Sequence, residues 1–285
     1  MTRIINRLLA AALCSLLPAL IYAASPQDTL RILWIGNSYT FYNNLPDVVS
    51  DIAASQKMRM KVTRVVKGGE RLSGHWQNPQ LHELLEQGGW NYVVVQEYSS
   101  ATAYSTSYVV SEVYPYAHKI DSMAMAHSPE AKVIFYMTWG HKNGNLRQTD
   151  YPLDDTYLQM QERVKLSYLE MAYDNHAWCA PVGMAWQTVR REHPEYDLYT
   201  ADNFHPSLLG SYLAANVIFS TIYQRKYQTS VTCGLAPQIA NTLQQTAQKT
   251  VLSNLQLLNI RPKKPIAKPE AKDGKKTENK DSVKP

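Results

Sequence analysis

Residues 30–38 read Leu-Arg-Ile-Leu-Trp-Ile-Gly-Asn-Ser. The run 31–35 within this stretch is short, apolar and closed by a glycine, which is typical of a buried strand. Similar runs follow it, and longer amphipathic segments separate them. Strands that alternate with helices of this length predict a parallel sheet covered on both faces, the doubly wound α/β class. The predicted strands are 31–35, 61–66, 92–95, 132–137 and 178–181, and the predicted helices between them are 46–55, 79–87, 107–126 and 155–175.

The chain after the fifth predicted strand contains a polar stretch, 190–205, and then a strongly apolar segment. Pro206 precedes that segment, which predicts a helix over 208–223 that packs on the sheet. A further helix is predicted over 237–258. No internal repeat and no second domain is visible, so residues 25–260 are predicted to form one domain of ordinary size.

The first 24 residues have the layout of a cleaved secretory signal. Arg3 and Arg7 precede the apolar stretch 8–21, and Ala23 and Ala24 close the segment. A transmembrane anchor is the alternative, but the apolar stretch is shorter than the ~20 residues that a spanning helix needs. Cys14 does not indicate a lipoprotein, because the residue before it is a leucine. The sequence therefore predicts export, to the periplasm or the medium, without stable membrane insertion.

The last 25 residues, 261–285, are dominated by lysine, proline and glutamate and predict a disordered basic tail. This tail carries nine Lys or Arg and four Asp or Glu, a net charge of +5, and the signal segment adds +2. Since the whole chain has a formal charge of +5, the remaining body is near −2. The excess of basic residues lies in the two ends of the chain, so the net charge does not predict a nucleic-acid partner. Contact of the tail with an anionic surface remains an alternative to simple solvation.

Cofactor and metal motifs are absent from the sequence. No Walker loop, Gly-x-Gly-x-x-Gly or Gly-x-Ser-x-Gly element occurs, which argues against an NTPase, a dinucleotide-binding protein and an α/β-hydrolase. The histidines lack metal-ligand spacing. Cys179 and Cys233 remain after signal removal, with no Cys or His neighbours at zinc-ligand spacing. The sequence predicts neither a metal nor a cofactor, and it leaves open whether the two cysteines pair.

Polar clusters stand where predicted strands end, which is where ligands gather in parallel sheets. In the first cluster, Ser38 follows Gly36 at the exit of the first strand, so it is a candidate nucleophile. The alternative is a plain turn with a helix-capping serine. The last cluster places Asp202 and His205 three residues apart, so that the carboxylate can bind Nδ1 while Nε2 accepts a hydroxyl proton. Either fragment alone is commonly just a turn; together they predict a catalytic triad.

These two clusters resemble the first and last sequence blocks of the SGNH/GDSL hydrolase superfamily. The resemblance implies a flavodoxin-like three-layer sandwich with a five-stranded sheet, a serine ester hydrolase activity, and an oxyanion hole. By the same resemblance, the hole would use the amides of Ser38 and Gly69, with Gly68 as the alternative glycine. The third block departs from the family pattern, because Gln96 stands where members carry an asparagine. Gln96 can offer an amide N–H on a longer arm and is predicted to be the third oxyanion donor.

Further side chains are candidates for the substrate cleft, with ordinary packing as the alternative. Glu97 could pair with His205, although an ordinary hydrogen-bonded carboxylate is the expected role. An aromatic floor would suit sugar rings. The residues predicted to line the cleft are Tyr98, His75, Trp76, Trp139 and Trp186.

The sequence is therefore interpreted as an exported serine ester hydrolase that removes acetyl groups from O-acetylated carbohydrate. A lipid or aryl esterase is the alternative among enzymes, and a non-catalytic carbohydrate-binding or surface interaction protein is the alternative from another class. The expected partner is a small-molecule or glycan ester. The oligomeric state does not follow from the sequence.

Overall fold

Five parallel strands form one sheet in the order β2-β1-β3-β4-β5. The inner strand β1, between β2 and β3, is fully buried from Ile32 to Ile35, because helices cover both faces of the sheet. This confirms the predicted doubly wound class, and the strand order is the flavodoxin-like one. The strands are β1 (Leu30–Gly36), β2 (Met60–Val66), β3 (Tyr92–Val95), β4 (Lys132–Tyr136) and β5 (Trp178–Ala180).

The computed structural model describes residues 29–144 and 156–261. The predicted signal segment 1–24, position 155 of the predicted helix, and residues 262–285 of the predicted tail lie outside this range. Within the described residues, no helix combines the length and the apolar character needed to cross a bilayer. The described residues also contain both Cys179 and Cys233 as free thiols, so the two do not form a bridge in this structure.

Two groups of helices cover the sheet. One group consists of α2, α8, α9 and α10, and the other of α3 to α7. Helix α9 is buried along almost its whole length, since it packs against α2, α8 and α10. The helices are α1 (Ser38–Phe41), α2 (Leu45–Ser55), α3 (Leu72–Trp76), α4 (Pro79–Gln87), α5 (Thr106–Glu112), α6 (Tyr114–His127), α7 (Tyr157–Asp174), α8 (Val182–Glu192), α9 (Leu208–Tyr223) and α10 (Pro237–Leu252).

The predicted helix over 107–126 is two helices, α5 and α6, which meet at Val113. Pro115 lies in the first turn of α6 and has no N–H for a helical hydrogen bond, so α5 cannot continue through it. Helix α8 was not predicted, although Val182, Trp186 and Val189 are spaced to share one helical face. The sequence prediction for 237–258 also ran past the end of α10 at Leu252.

Candidate active site

The turn after β1 presents Ser38 as the first residue of α1. Asn37 caps this helix, because its Oδ1 accepts the N–H of Tyr39 at 3.2 Å. The Nδ2 of Asn37 donates to the carbonyl of Glu70 at 3.0 Å. One side chain therefore fixes the start of α1 and ties it to the loop after β2.

Gly36 allows the backbone of this turn to approach its neighbours closely. A Cβ at this position would lie 2.3 Å from Thr40 Oγ1 and 2.6 Å from Gln96 Oε1. No real Cβ approaches other atoms so closely, so a larger residue would displace the two side chains that hold the turn. Close packing in the turn before Ser38 therefore requires glycine at position 36.

A continuous hydrogen-bond chain joins Asp202, His205 and Ser38. Asp202 Oδ2 lies 2.7 Å from His205 Nδ1, and His205 Nε2 lies 2.8 Å from Ser38 Oγ. The carboxylate accepts a hydrogen bond from Nδ1–H, which leaves Nε2 free to accept the serine proton. Residues 167 positions apart in the sequence are brought together by the return of the chain to the end of β1 just before α9.

The Asp202 carboxylate is held in its charged form. Partial burial opposes the charge, but hydrogen bonds from the backbone N–H of Phe204, the His205 ring and the His205 N–H keep the pKa of this carboxyl well below its ordinary value. The Oδ1 atom accepts those two backbone N–H groups at 3.0 and 2.9 Å, and Thr200 Oγ1 at 2.9 Å. One oxygen therefore organises the turn while the other orients the imidazole.

Aromatic rings enclose the imidazole of His205. Tyr42 stacks on it with 4.5 Å between centroids and 5° between planes. Tyr39 meets its edge at 5.7 Å, and Phe204 tilts against it at 4.4 Å. Sequence reasoning missed these contacts, although the run Tyr39-Thr40-Phe41-Tyr42 directly after Ser38 was a usable signal.

Two backbone amides near Ser38 are open. Among the described residues, neither the N–H of Ser38 nor the N–H of Gly69 donates a hydrogen bond. Gly69 has a φ of +70°, which favours glycine, and no atom lies within 4 Å of where its Cβ would be. The loop that carries Gly69 is held beside Ser38 by the bond from Asn37 to Glu70. These amides are therefore available to a ligand.

Gln96 uses its side chain differently from the predicted oxyanion contact. Its Oε1 accepts the N–H of Asn37 at 2.9 Å and the hydroxyl of Thr40 at 2.8 Å, and its Nε2 donates to the carbonyl of Glu97. The side chain is fully buried. These hydrogen bonds hold the turn of Ser38, and the role of Gln96 as third oxyanion donor stays a prediction.

Glu97 binds backbone amides and not His205. Its oxygens accept the N–H of Leu72 at 3.3 Å and the N–H of Tyr98. Burial raises the pKa of this carboxyl to about 7. Glu97 therefore links the end of β3 to the start of α3, and the alternative pairing with His205 is not seen.

The predicted aromatic floor is wrong for Trp139 and Trp186, because both are fully buried. Their rings stack on each other at 3.9 Å, and Trp139 also stacks on Tyr39 at 4.4 Å, so they support the site from the core. His75 is likewise buried and donates from Nε2 to the carbonyl of Gly36 at 2.9 Å. The two tryptophans therefore expose no surface to a substrate in this structure, and His75 exposes almost none.

Tyr98 and Trp76 are half-buried. Trp76 packs against His82 of α4 at 4.5 Å, while Tyr98 lies under the guanidinium of Arg71 at 4.8 Å. Phe41, which the sequence did not single out, is 37% exposed and near Gly68.

In the part of the chain that the structure describes, no group of three His, Cys, Asp or Glu side chains has a metal-binding arrangement.

Known structures share this architecture. A protein from Slackia heliotrinireducens assigned to the SGNH hydrolases is 29% identical over 68% of this chain and 100% of its own, with a TM-score of 0.56. A DUF4886 family protein from Bacteroides uniformis is 18% identical, with a TM-score of 0.63 over 79% of this chain and 95% of its own. A protein from Parabacteroides merdae assigned as a GDSL-like lipase is 10% identical, with a TM-score of 0.51 over 67% of this chain and 94% of its own.

No protein-family model and no curated protein matches the sequence. Because the Bacteroides and Parabacteroides structures are only 18% and 10% identical to this chain, they bear on the fold alone. The Slackia protein, at 29% identity, adds a likeness in sequence. With its five-stranded sheet in the order β2-β1-β3-β4-β5 and these structural neighbours, the chain has the fold of the SGNH/GDSL hydrolase superfamily and resembles the Slackia protein in sequence as well.

Proposed function

We propose that the protein is a serine hydrolase of carboxylic esters, with Ser38 as its nucleophile. The observation that carries the proposal is the hydrogen-bond chain from Asp202 through His205 to Ser38. A serine hydroxyl is a weak nucleophile unless an adjacent base accepts its proton, and His205 Nε2 lies at the distance this transfer needs.

In the proposed reaction, His205 takes the proton of Ser38 as the serine oxygen attacks the ester carbonyl. The open amides of Ser38 and Gly69 hold the oxyanion, and Asp202 stabilises the imidazolium. The imidazolium then protonates the leaving alcohol. Water, activated by the same histidine, releases the acid from Ser38 and restores the enzyme.

The substrate proposed is an O-acetylated carbohydrate, met outside the cytoplasm after removal of the signal segment. The exposed ring of Phe41, at the end of the helix that begins with Ser38, and the half-buried ring of Tyr98, in the loop after β3, offer aromatic surface, and such surface suits sugar rings. The exposure of Phe41 also favours a second candidate, a lipid or aryl ester, because the same ring would contact an acyl or aryl group.

Covalent labelling tests the proposed nucleophile. The purified protein should react with a fluorophosphonate probe and hydrolyse p-nitrophenyl acetate, and Ser38→Ala should abolish labelling and lower kcat by about 10⁴- to 10⁶-fold. A well-folded protein that shows neither activity would refute the enzyme and favour a non-catalytic binding role.

A substrate panel then separates the ester classes. Acetate should be preferred over butyrate and octanoate, and acetylated glycans should release acetate in a Ser38-dependent manner. Preference for acyl chains of eight or more carbons would move the assignment to the lipid or aryl candidate.

A further inference from the structure

Arg71 stands where the loops after β2 and β3 meet. The residue before it, Glu70, accepts a hydrogen bond from Asn37 at 3.0 Å, and the residue after it, Leu72, donates to Glu97 at 3.3 Å. Since β1 lies between β2 and β3, these bonds hold the backbone of Arg71 beside the end of the strand that leads to Ser38.

Three tyrosines surround the guanidinium of Arg71. It lies 4.8 Å from the ring of Tyr98, 5.8 Å from Tyr104 and 5.7 Å from Tyr108, and it donates to the Tyr108 hydroxyl. The side chain is half-buried. The rings hold the planar cation in one orientation, in a loop that the hydrogen bond from Asn37 to Glu70 ties to the turn of Ser38.

Among the described residues, no carboxylate lies within 4 Å of the Arg71 guanidinium. Lys67, in the same loop, pairs with Glu70 at 2.7 Å, and Lys142 pairs with Asp197 at 2.8 Å. The carboxylate whose charge favours the charged form of Arg71, and raises its pKa without a direct contact, is Glu97. Its oxygens already accept backbone N–H groups, and burial raises its pKa to about 7, so it compensates the cation only in part near neutral pH.

We propose that Arg71 binds an anionic group, a carboxylate or a phosphate, on the sugar of the acetylated substrate, and so determines specificity for acidic carbohydrate. This inference rests on the proposed esterase function and deepens it. A guanidinium presents parallel N–H donors that match both anions, and a partly desolvated cation gains more from such a partner than an exposed one. Tyr98, beneath the guanidinium, fixes the position of the cation that would meet this anion.

The test compares mono-O-acetylated methyl glucoside, its glucuronoside counterpart and its 6-phosphate. For the wild-type protein we expect kcat/KM to be about 10- to 100-fold higher for at least one charged ester than for the neutral one. Arg71→Gln should bring that ratio close to one, and Arg71→Lys should keep part of it. The charged ester that is preferred identifies the anion as carboxylate or phosphate.

Arg225→Gln is the matched control. Arg225 also lies over a tyrosine ring, Tyr223 at 5.5 Å, but follows the C-terminal end of α9. The 16 residues of that helix place it about 24 Å from the end next to His205. This variant should keep the wild-type preference for charged esters.

Two results would overturn the inference. One is a wild-type protein that hydrolyses p-nitrophenyl acetate through Ser38 yet shows no preference for either charged ester; the proposed function would then stand without it. The other is an Arg71→Gln variant that loses neutral and charged activity equally.

If that variant does not fold, an inhibition assay on the wild-type protein replaces it. Free glucuronate or glucose 6-phosphate should then inhibit p-nitrophenyl acetate hydrolysis more strongly than methyl glucoside does. Equal weak inhibition by all three would refute the subsite.

Discussion

The phenol ring of Tyr42 lies parallel to the imidazole of His205, 4.5 Å away at 5°. This contact holds the proposed base in the plane in which it meets Ser38 on one side and Asp202 on the other. It also places an electron-rich face against the imidazolium that forms when His205 takes the serine proton.

Replacement of Tyr42 by leucine should lower kcat for p-nitrophenyl acetate by about 2- to 10-fold, because an aromatic pair contributes about 0.5–1.5 kcal/mol. KM should change little, since the ring acts on the base. Tyr42→Phe keeps the ring face and serves as the control. Equal losses in both variants would show that the hydroxyl matters instead of the stacking.

Gln96→Leu should lower both stability and activity. The substitution leaves the buried N–H of Asn37 without its acceptor and releases Thr40, which costs about 1–3 kcal/mol in the free energy of unfolding. Urea unfolding measured beside kcat separates this role from the predicted oxyanion contact. An unchanged unfolding curve together with a 10²- to 10³-fold fall in kcat would restore Gln96 as an oxyanion donor.

Asn37→Asp should destabilise the turn of Ser38. Aspartate retains the oxygen that caps α1 but lacks the Nδ2 donor, and its charge would face the carbonyl of Glu70. We expect a loss of about 1–3 kcal/mol in urea unfolding, with a parallel fall in kcat. Asn241→Asp, at an exposed position of α10, should stay within about 0.5 kcal/mol of the wild type. A neutral Asn37→Asp variant would show that the bond between the two loops contributes little.

Glu97 should make the stability depend on pH. Burial raises the pKa of its carboxyl from 4.5 to about 7, so between these values the folded chain holds a proton that the unfolded chain has lost. Folding then takes up a proton, and stability falls as pH rises through this window by about 1.4 kcal/mol per unit, before it levels above pH 7.

Glu97→Gln removes that titration. The difference in unfolding free energy between wild type and variant, measured in urea at pH 5, 6, 7 and 8, should shift in favour of the variant as pH rises. Glu86→Gln, at an exposed position of α4, should show no such trend. A pH-independent difference for Glu97→Gln would mean that the carboxyl keeps the same protonation in both states.

The strands and their class could be predicted from the sequence because buried parallel strands leave a local signal of short apolar runs. The strand over 92–95 and the helices α4 and α9 were predicted with their observed bounds. Helix α8 was missed because its polar C-terminal end, from Arg190, was assigned to the polar stretch 190–205. The break between α5 and α6 occurs at Pro115. A proline fits the first turn of a helix but interrupts a helix that runs through it, so its effect depends on where α6 begins.

By itself, the sequence determined the fold class and which strand-end segments hold the candidate catalytic residues, since glycine, serine, aspartate and histidine at such ends are local features. The meeting of Ser38 with His205 was only an expectation until the tertiary structure placed them 2.8 Å apart. Only the tertiary structure decided the orientation and burial of the remaining side chains. It turned Gln96 towards the turn of Ser38, buried Trp139 and Trp186 behind the site, and stacked Tyr42 on His205. Burial and side-chain direction depend on neighbours that are distant along the chain, and a local pattern does not contain that information.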